Sequence, residues 1–179
     1  CDFLELKTSI KPVHGSLTEL PFHDQEFDVV CAFDVIEHIE DDVLACKEIA
    51  RVLKSDGIYF ITVPAFKFLW SNHDVINHHF RRYTQRTLHE CINNGNLKNE
   101  HSTYFNFLLF VPIALLRLSQ RLLPKSKQQQ SSGSDNEIFQ SNALINKTLK
   151  SVFLIEKTIL DRRLKLPFGI SFLSIGTKK

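Results

Sequence analysis

Phe27-Asp28-Val29-Val30-Cys31-Ala32-Phe33, followed by Asp34 to Gly57 and then Ile58-Tyr59-Phe60-Ile61-Thr62-Val63-Pro64, is the stretch from which the fold is read. The first run is continuously apolar after Asp28, rich in β-branched residues and of strand length, which predicts a parallel strand covered on both faces. Glu40-Asp41-Asp42 crowd the start of a helix, where negative charge meets the positive end of the dipole. Cys46, Ile49, Ala50 and Leu53 follow at helical spacing, so one face of that helix is buried. Ser55-Asp56-Gly57 is expected to stop it, with Gly57 as a left-handed cap. Ile58 to Val63 reads as a second buried strand. Strand, helix, strand makes a right-handed βαβ unit and implies a parallel sheet.

Working outward, residues 1–10 read as the end of a helix, and 11–15 as a short extended segment, since Pro12 turns the residue before it away from helix. Ser16 to Phe22 reads as a turn or a single helical turn, and His23 to Glu26 as a polar loop. Residues 65–83 (AFKFLWSNHDVINHHFRRY) form a long connection whose aromatics argue against disorder, so a lid is expected there. Thr84 suits an N-cap for a helix through Leu88, Cys91 and Ile92 that closes at Asn94-Gly95. A polar strand near 97–104 belongs at an edge. Residues 105–161 read as a helical insertion, with a low-complexity linker at 124–137 and helical periodicity returning from 139. Residues 168–176 close the sheet. The whole chain, 1–179, is one domain.

Composition bounds the function. At 179 residues, 43% hydrophobic and 23% charged, the chain has room for one ordinary core and is neither disordered nor fibrous. A net charge of +2 gives no electrostatic reason to expect nucleic acid as a partner. Cys1, Cys31, Cys46 and Cys91 form no CxxC pair and read as free, buried thiols of a reducing, cytoplasmic compartment. The chain has no Met and opens in mid-pattern, so an N-terminally incomplete domain is expected; no signal peptide is recognisable.

Several short runs share an order and spacing: Gly15-Ser16-Leu17, Leu20-Pro21-Phe22, Phe27-Asp28-Val29-Val30, Asp34-Val35-Ile36-Glu37-His38, and Arg51-Val52-Leu53-Lys54 with Gly57. Together they resemble the class I S-adenosylmethionine-dependent methyltransferases, in particular the methyltransferase type 11 group. The resemblance implies an α/β, Rossmann-like sheet, mostly parallel with one antiparallel strand. It assigns residues 13–15, 27–33, 58–63, 97–104 and 168–176 to the third through seventh strands. The family's first strand and glycine-rich loop, which cradles the cofactor's methionine moiety, have no counterpart in this sequence. Weak or absent binding of S-adenosylmethionine is therefore expected of the chain as given.

The resemblance places Gly15, Ser16, Leu17, Phe33 and Asp34 at the cofactor, with Ser16 where the family often has a carboxylate against the adenine amino group. Phe33 has a second reading, as core. Methyl transfer needs alignment, exclusion of water and sometimes a base. His38 is the candidate base, because imidazole titrates nearest neutrality; packing beside the following helix is its other reading. Asp34, Glu37 and His38, at i, i+3 and i+4, would share one helical face and could hold a divalent metal together with His73, His78 or His79; some methyltransferases of small RNAs and of quinones have a similar cluster. His79, Arg82 and Tyr83 are candidate substrate contacts in the lid, with Arg81 beside them; a basic loop pairing with nearby acids is the alternative.

The activity implied is methyl transfer from S-adenosylmethionine to a small-molecule or lipid-like acceptor. A non-catalytic remnant of the fold, kept as a binding module, is the competing reading. A nicotinamide dehydrogenase lacks its GxGxxG run. Residues 105–123 are apolar, but Pro112, Arg117 and Arg121 interrupt them, so a core or lid helix is expected, with peripheral membrane contact as the alternative. A homo-oligomer stays open.

Overall fold

The computed structural model describes residues 11–122, 143–162 and 164–179. Cys1, the helix end expected at 1–10 and the linker expected at 124–137 lie outside them.

Four strands form one sheet: β1 (Phe27–Phe33), β2 (Leu53–Pro64), β3 (Leu97–Phe105) and β4 (Ser171–Lys178), in the order β1-β2-β4-β3. β1 and β2 pair in parallel, Val29 opposite Ile58 and Phe33 opposite Thr62. β4 runs antiparallel to both β2 and β3. One antiparallel strand in an otherwise parallel set is the expected architecture. β3, read as an edge strand from its polarity, is an edge strand.

Helix α1 (Asp42–Val52) makes the crossover from β1 to β2. Asp41 caps it, its side chain accepting from the Leu44 N–H at 2.9 Å. Ala45, Cys46, Ile49 and Ala50 turn inward and are buried. They meet Leu88, Cys91 and Ile92 of α3 (Gln85–Asn94), and Tyr59, Ile61 and Val63 of β2, in a single core. Thr84 caps α3 as read from the sequence, accepting from Thr87 N–H. Gly95, just past the helix, lies so close to Cys46 that an added Cβ would overlap it. The Cys46 and Cys91 sulfurs sit 3.6 Å apart in the core.

Five expectations are corrected. The helix stops at Val52, not at Ser55, and β2 already begins at Leu53. Lys54 to Gly57 bulge out of register between the Phe27–Leu53 and Val29–Ile58 pairs, where Lys54 grips the Asp28 carboxylate at 2.8 Å. Gly57 is therefore a strand residue without a positive φ, packed against Leu53 and the Asp28 carbonyl. Residues 13–15 form no strand, because no described strand lies beside them to complete a ladder. β1 is not covered on both faces: it is the outer strand, and Val29, Cys31 and Phe33 are exposed. Cys31 is thus a surface thiol, unlike Cys46 and Cys91.

Between β2 and α3, residues 65–83 carry a 3-10 turn at Lys67–Leu69 and the short helix α2 (Asn72–Ile76). Beyond β3 come α4 (Phe107–Leu122), with Pro112 inside it, and α5 (Ala143–Asp161). The Glu156 carboxylate of α5 accepts from the Phe107 N–H, which ties the start of α4 to α5.

Candidate active site

Open α/β sheets present ligands at the carboxyl ends of their parallel strands. Here those ends are Phe33-Asp34 and Val63-Pro64. The Asp34 N–H bonds the Thr62 carbonyl at 3.0 Å and the Thr62 hydroxyl at 3.1 Å, fastening the two ends together. Asp34 takes a φ of +51°, and the chain breaks out of the sheet there. Phe66 and His78, both in the 65–83 segment, also sit at φ 56°. Non-glycine residues in that region are uncommon and concentrate where a site demands a fixed loop.

After this break, Ile36–His38 wind into one 3-10 turn. Ile36 and Glu37 are fully buried. The Phe80 N–H bonds the Glu37 carbonyl at 2.8 Å, so the 65–83 segment closes over the turn. The hub of that segment is Asp74, itself fully buried. It receives Arg82 on both oxygens, at 2.7 and 3.0 Å, His79 Nδ1 at 2.9 Å and the Ser71 N–H at 2.8 Å. Burial pushes the Asp74 carboxyl up, but Arg82, Ser71 and His79 outweigh it and hold the group below the usual carboxylate range. An ionised carboxylate only accepts, so His79 donates through Nδ1 and keeps Nε2 as its second nitrogen.

The His79 ring meets the His38 ring edge to face, centroids 4.5 Å apart. Glu37 completes the group: one ligating atom from each of Glu37, His38 and His79 lies within 4.8 Å of the others. Neither Glu37 carboxylate oxygen has a hydrogen-bond partner. Burial, reinforced by Asp34 and Asp74, pushes its pKa up to about 7. A buried carboxyl without a partner is costly in either protonation state. Tetrahedral ligands about 2.1 Å from one ion stand about 3.4 Å apart, so side chains whose ligating atoms lie within 4.8 Å of one another would close by up to about 1.4 Å to share a small cation.

The residues read from the sequence divide as follows. His38, Glu37 and His79 come together. Asp34 does not join them: the proposed helical face from 34 to 38 is broken by its left-handed backbone, and only 36–38 are helical. His79 takes the place given to Asp34. Phe33 is 57% exposed, which removes its core reading and leaves its ring open at the strand end. Ser16 is exposed, its hydroxyl 2.7 Å from that of Thr18, while Leu17 packs on the core and Gly15 lies against Pro21. Arg82 is corrected: its guanidinium is spent on Asp74 and on the Ala65 carbonyl inside the fold. Tyr83 is corrected too. It is buried in the core and donates to Asp42 at 2.7 Å; burial and that bond push its hydroxyl far above the usual range. Arg81 pairs with Asp42 from the other side. Asp74 was not among the residues singled out, although Ser71-Asn72-His73-Asp74 carries the spacing of a capping box, which the structure forms.

Comparison with known proteins completes the picture. Residues 3–61 match the family model described as a methyltransferase domain. A probable S-adenosylmethionine-dependent methyltransferase of Mycolicibacterium smegmatis is 43% identical over 51 residues, 28% of this chain and 20% of that protein. Over residues 3–61 the chain is thus similar in sequence to S-adenosylmethionine-dependent methyltransferases. A demethylmenaquinone methyltransferase of Staphylococcus aureus is 36% identical over 69 residues, 35% of this chain and 29% of that protein. The chain thus spans only 20–29% of the length of these curated relatives. Among solved structures, a methyltransferase of Thermotoga maritima described as a possible histamine N-methyltransferase superposes with a TM-score of 0.58 at 15% identity, covering 99% of this chain and 68% of that one. At that identity the likeness is one of fold, and it bears out the Rossmann-like sheet.

Proposed function

We propose that this domain takes part in transferring a methyl group from S-adenosylmethionine to a small, apolar or lipid-like acceptor. The observation that carries the reading is the coincidence of the fold's ligand-binding end with Phe33, exposed, and with Glu37, His38 and His79 gathered beside it. Gly15, Ser16, Leu17, Phe33 and Asp34 form the cofactor side of the cleft, and residues 65–83 the lid. The acceptor's O–H or N–H gives its proton to an imidazole nitrogen of His38 as its lone pair takes the methyl carbon. S-adenosylmethionine, when bound, would supply that methyl group and leave as S-adenosylhomocysteine. His79, held by Asp74, fixes the His38 ring from its edge. Arg82 and Tyr83 lock the lid from inside.

The partnerless Glu37 favours a second reading, in which Glu37, His38 and His79 hold a divalent cation and His38 is a ligand in place of a base. When bound, such an ion would orient an acceptor hydroxyl and make it more acidic. Asp74 then stands behind His79 as the carboxylate that fixes a ligating imidazole.

The test is transfer of labelled methyl from millimolar S-adenosylmethionine into small organic acceptors by the natural polypeptide. His38→Ala is expected to lower kcat by about a hundredfold or more. In the same preparations Mg²⁺ or Zn²⁺ is expected to raise Tm of the wild type and not of Glu37→Gln. Full activity of His38→Ala overturns the base. Equal melting with and without each ion overturns the cation and leaves methyl transfer standing.

A further inference from the structure

Helix α4 carries Leu108, Val111, Leu115 and Leu118 at i, i+3, i+7 and i+10, a single stripe along one face. A helix packed into a core would bury such a stripe. Here its four members are 40%, 53%, 63% and 55% exposed. Helix α5 adds three consecutive apolar residues, Phe153, Leu154 and Ile155, all exposed. Apolar side chains left exposed in this number on two helices mark a place where something else docks.

Charge selects the partner. The segment 105–165 holds ten Lys and Arg against four Asp and Glu, a net +6, and the rest of the chain holds twelve against sixteen, a net −4. Lys147, Lys150, Lys157, Arg162 and Lys165 are exposed on or just beyond α5. Of the two acids on α5, Glu156 is buried and faces the Phe107 N–H, and Asp161 is exposed and pairs with Lys157, which leaves Lys147, Lys150, Arg162 and Lys165 in excess. Two copies of so basic a surface repel each other, which disfavours self-association through this face. An anionic lipid surface attracts it and receives its leucines in the same contact. No helix among the described residues is long and apolar enough to cross a membrane, so the contact is peripheral.

We propose that the α4–α5 face docks onto an anionic phospholipid membrane, leucines in the interface and lysines at the headgroups. This rests on the exposed residues of α4 and α5 and on the charge of the 105–165 sequence, and is independent of the methyl-transfer reading.

The test is flotation of the full chain with vesicles of phosphatidylcholine, or of phosphatidylcholine mixed with phosphatidylglycerol, at low and high salt. Binding to the mixed vesicles is expected at low salt, weakened by salt. The pair Leu115→Glu with Leu118→Glu and, separately, the pair Lys150→Glu with Lys157→Glu are each expected to lower it roughly tenfold or more. The lysine pair lies on the surface and keeps the test valid where the leucine pair disturbs folding, which circular dichroism reports. No binding to mixed vesicles overturns the proposal. So does equal binding to phosphatidylcholine alone, or a dimer in sedimentation that Leu115→Glu dissociates while vesicle binding is unchanged.

Discussion

At Glu37 the fold holds a carboxyl in its interior with nothing to bond to. Its pKa, pushed by burial to about 7, stands above the value of 4.5 that it has when exposed. The folded state therefore binds this proton more tightly than the unfolded one. Stability from this group is complete below the unfolded value, declines as pH rises through about 7, and is level above. In chelator, the urea midpoint of the wild type is expected to fall between pH 5 and pH 8. Glu37→Gln, which cannot ionise, is expected to lose that part of the slope and to be the more stable protein at pH 8, by about 1–3 kcal/mol. An unchanged slope in Glu37→Gln contradicts the account. The sequence drew attention to Glu37 and His38 because an acid and an imidazole follow a strand end. Of the companions it offered, one of His73, His78 and His79 does join them, as His79, and Asp34 does not, since its backbone turns left-handed and nothing in the spacing of 34, 37 and 38 reveals that. Arg82 and Tyr83 were misread for a related reason: a basic and an aromatic residue in a long loop look exposed until their partners, Asp74 and Asp42, are known.

Among the elements, the 65–83 segment depends on one ion pair. Asp74 and Arg82 are almost wholly enclosed, the side chains 0% and 9% exposed. Removing one partner leaves the other charge without compensation, so Asp74→Ala is expected to cost about 3–5 kcal/mol. It should also open residues 65–83 to protease before the sheet unfolds. Arg82→Met added to Asp74→Ala is expected to recover part of the loss, measured in urea; a double variant as unstable as the two single losses summed would show that the pair is not the hinge of the segment. Elements defined by local chemistry were legible in the sequence: β1 by its apolar run, α1 by its acidic start, α3 by the Thr84 cap, and α5 by its period. The end of α1 was not, because Leu53 satisfies the helical spacing equally well and is claimed instead by pairing with Phe27. The covering of β1 was misjudged because an apolar run says that a strand prefers burial, not what is there to bury it.

On the scale of the molecule, the sheet order β1-β2-β4-β3 puts the parallel pair at one side and leaves the outer edge and exposed residues of β1 beside the candidate site. The basic, apolar helices lie on a different part of the chain from the acidic Asp34–Asp42 run. Binding of a nucleotide at one and of lipid at the other can therefore be separated by mutation. The sequence carried this division in its charge, +6 for 105–165 against −4 elsewhere, but only burial distinguishes a core stripe on α4 from an exposed one.

The central claim is that Ser16, Leu17, Phe33 and Asp34 border one cleft for a sulfonium nucleoside. An NMR titration of the amide-labelled chain with S-adenosylhomocysteine, carried into the millimolar range, tests it most directly. Weak binding is expected, with Kd above about 100 µM, and with shifts at the amides of Ser16, Leu17, Phe33 and Asp34 and none along β4. Silent amides at those four positions under saturating ligand, or shifts confined to β4 and α5, would contradict it.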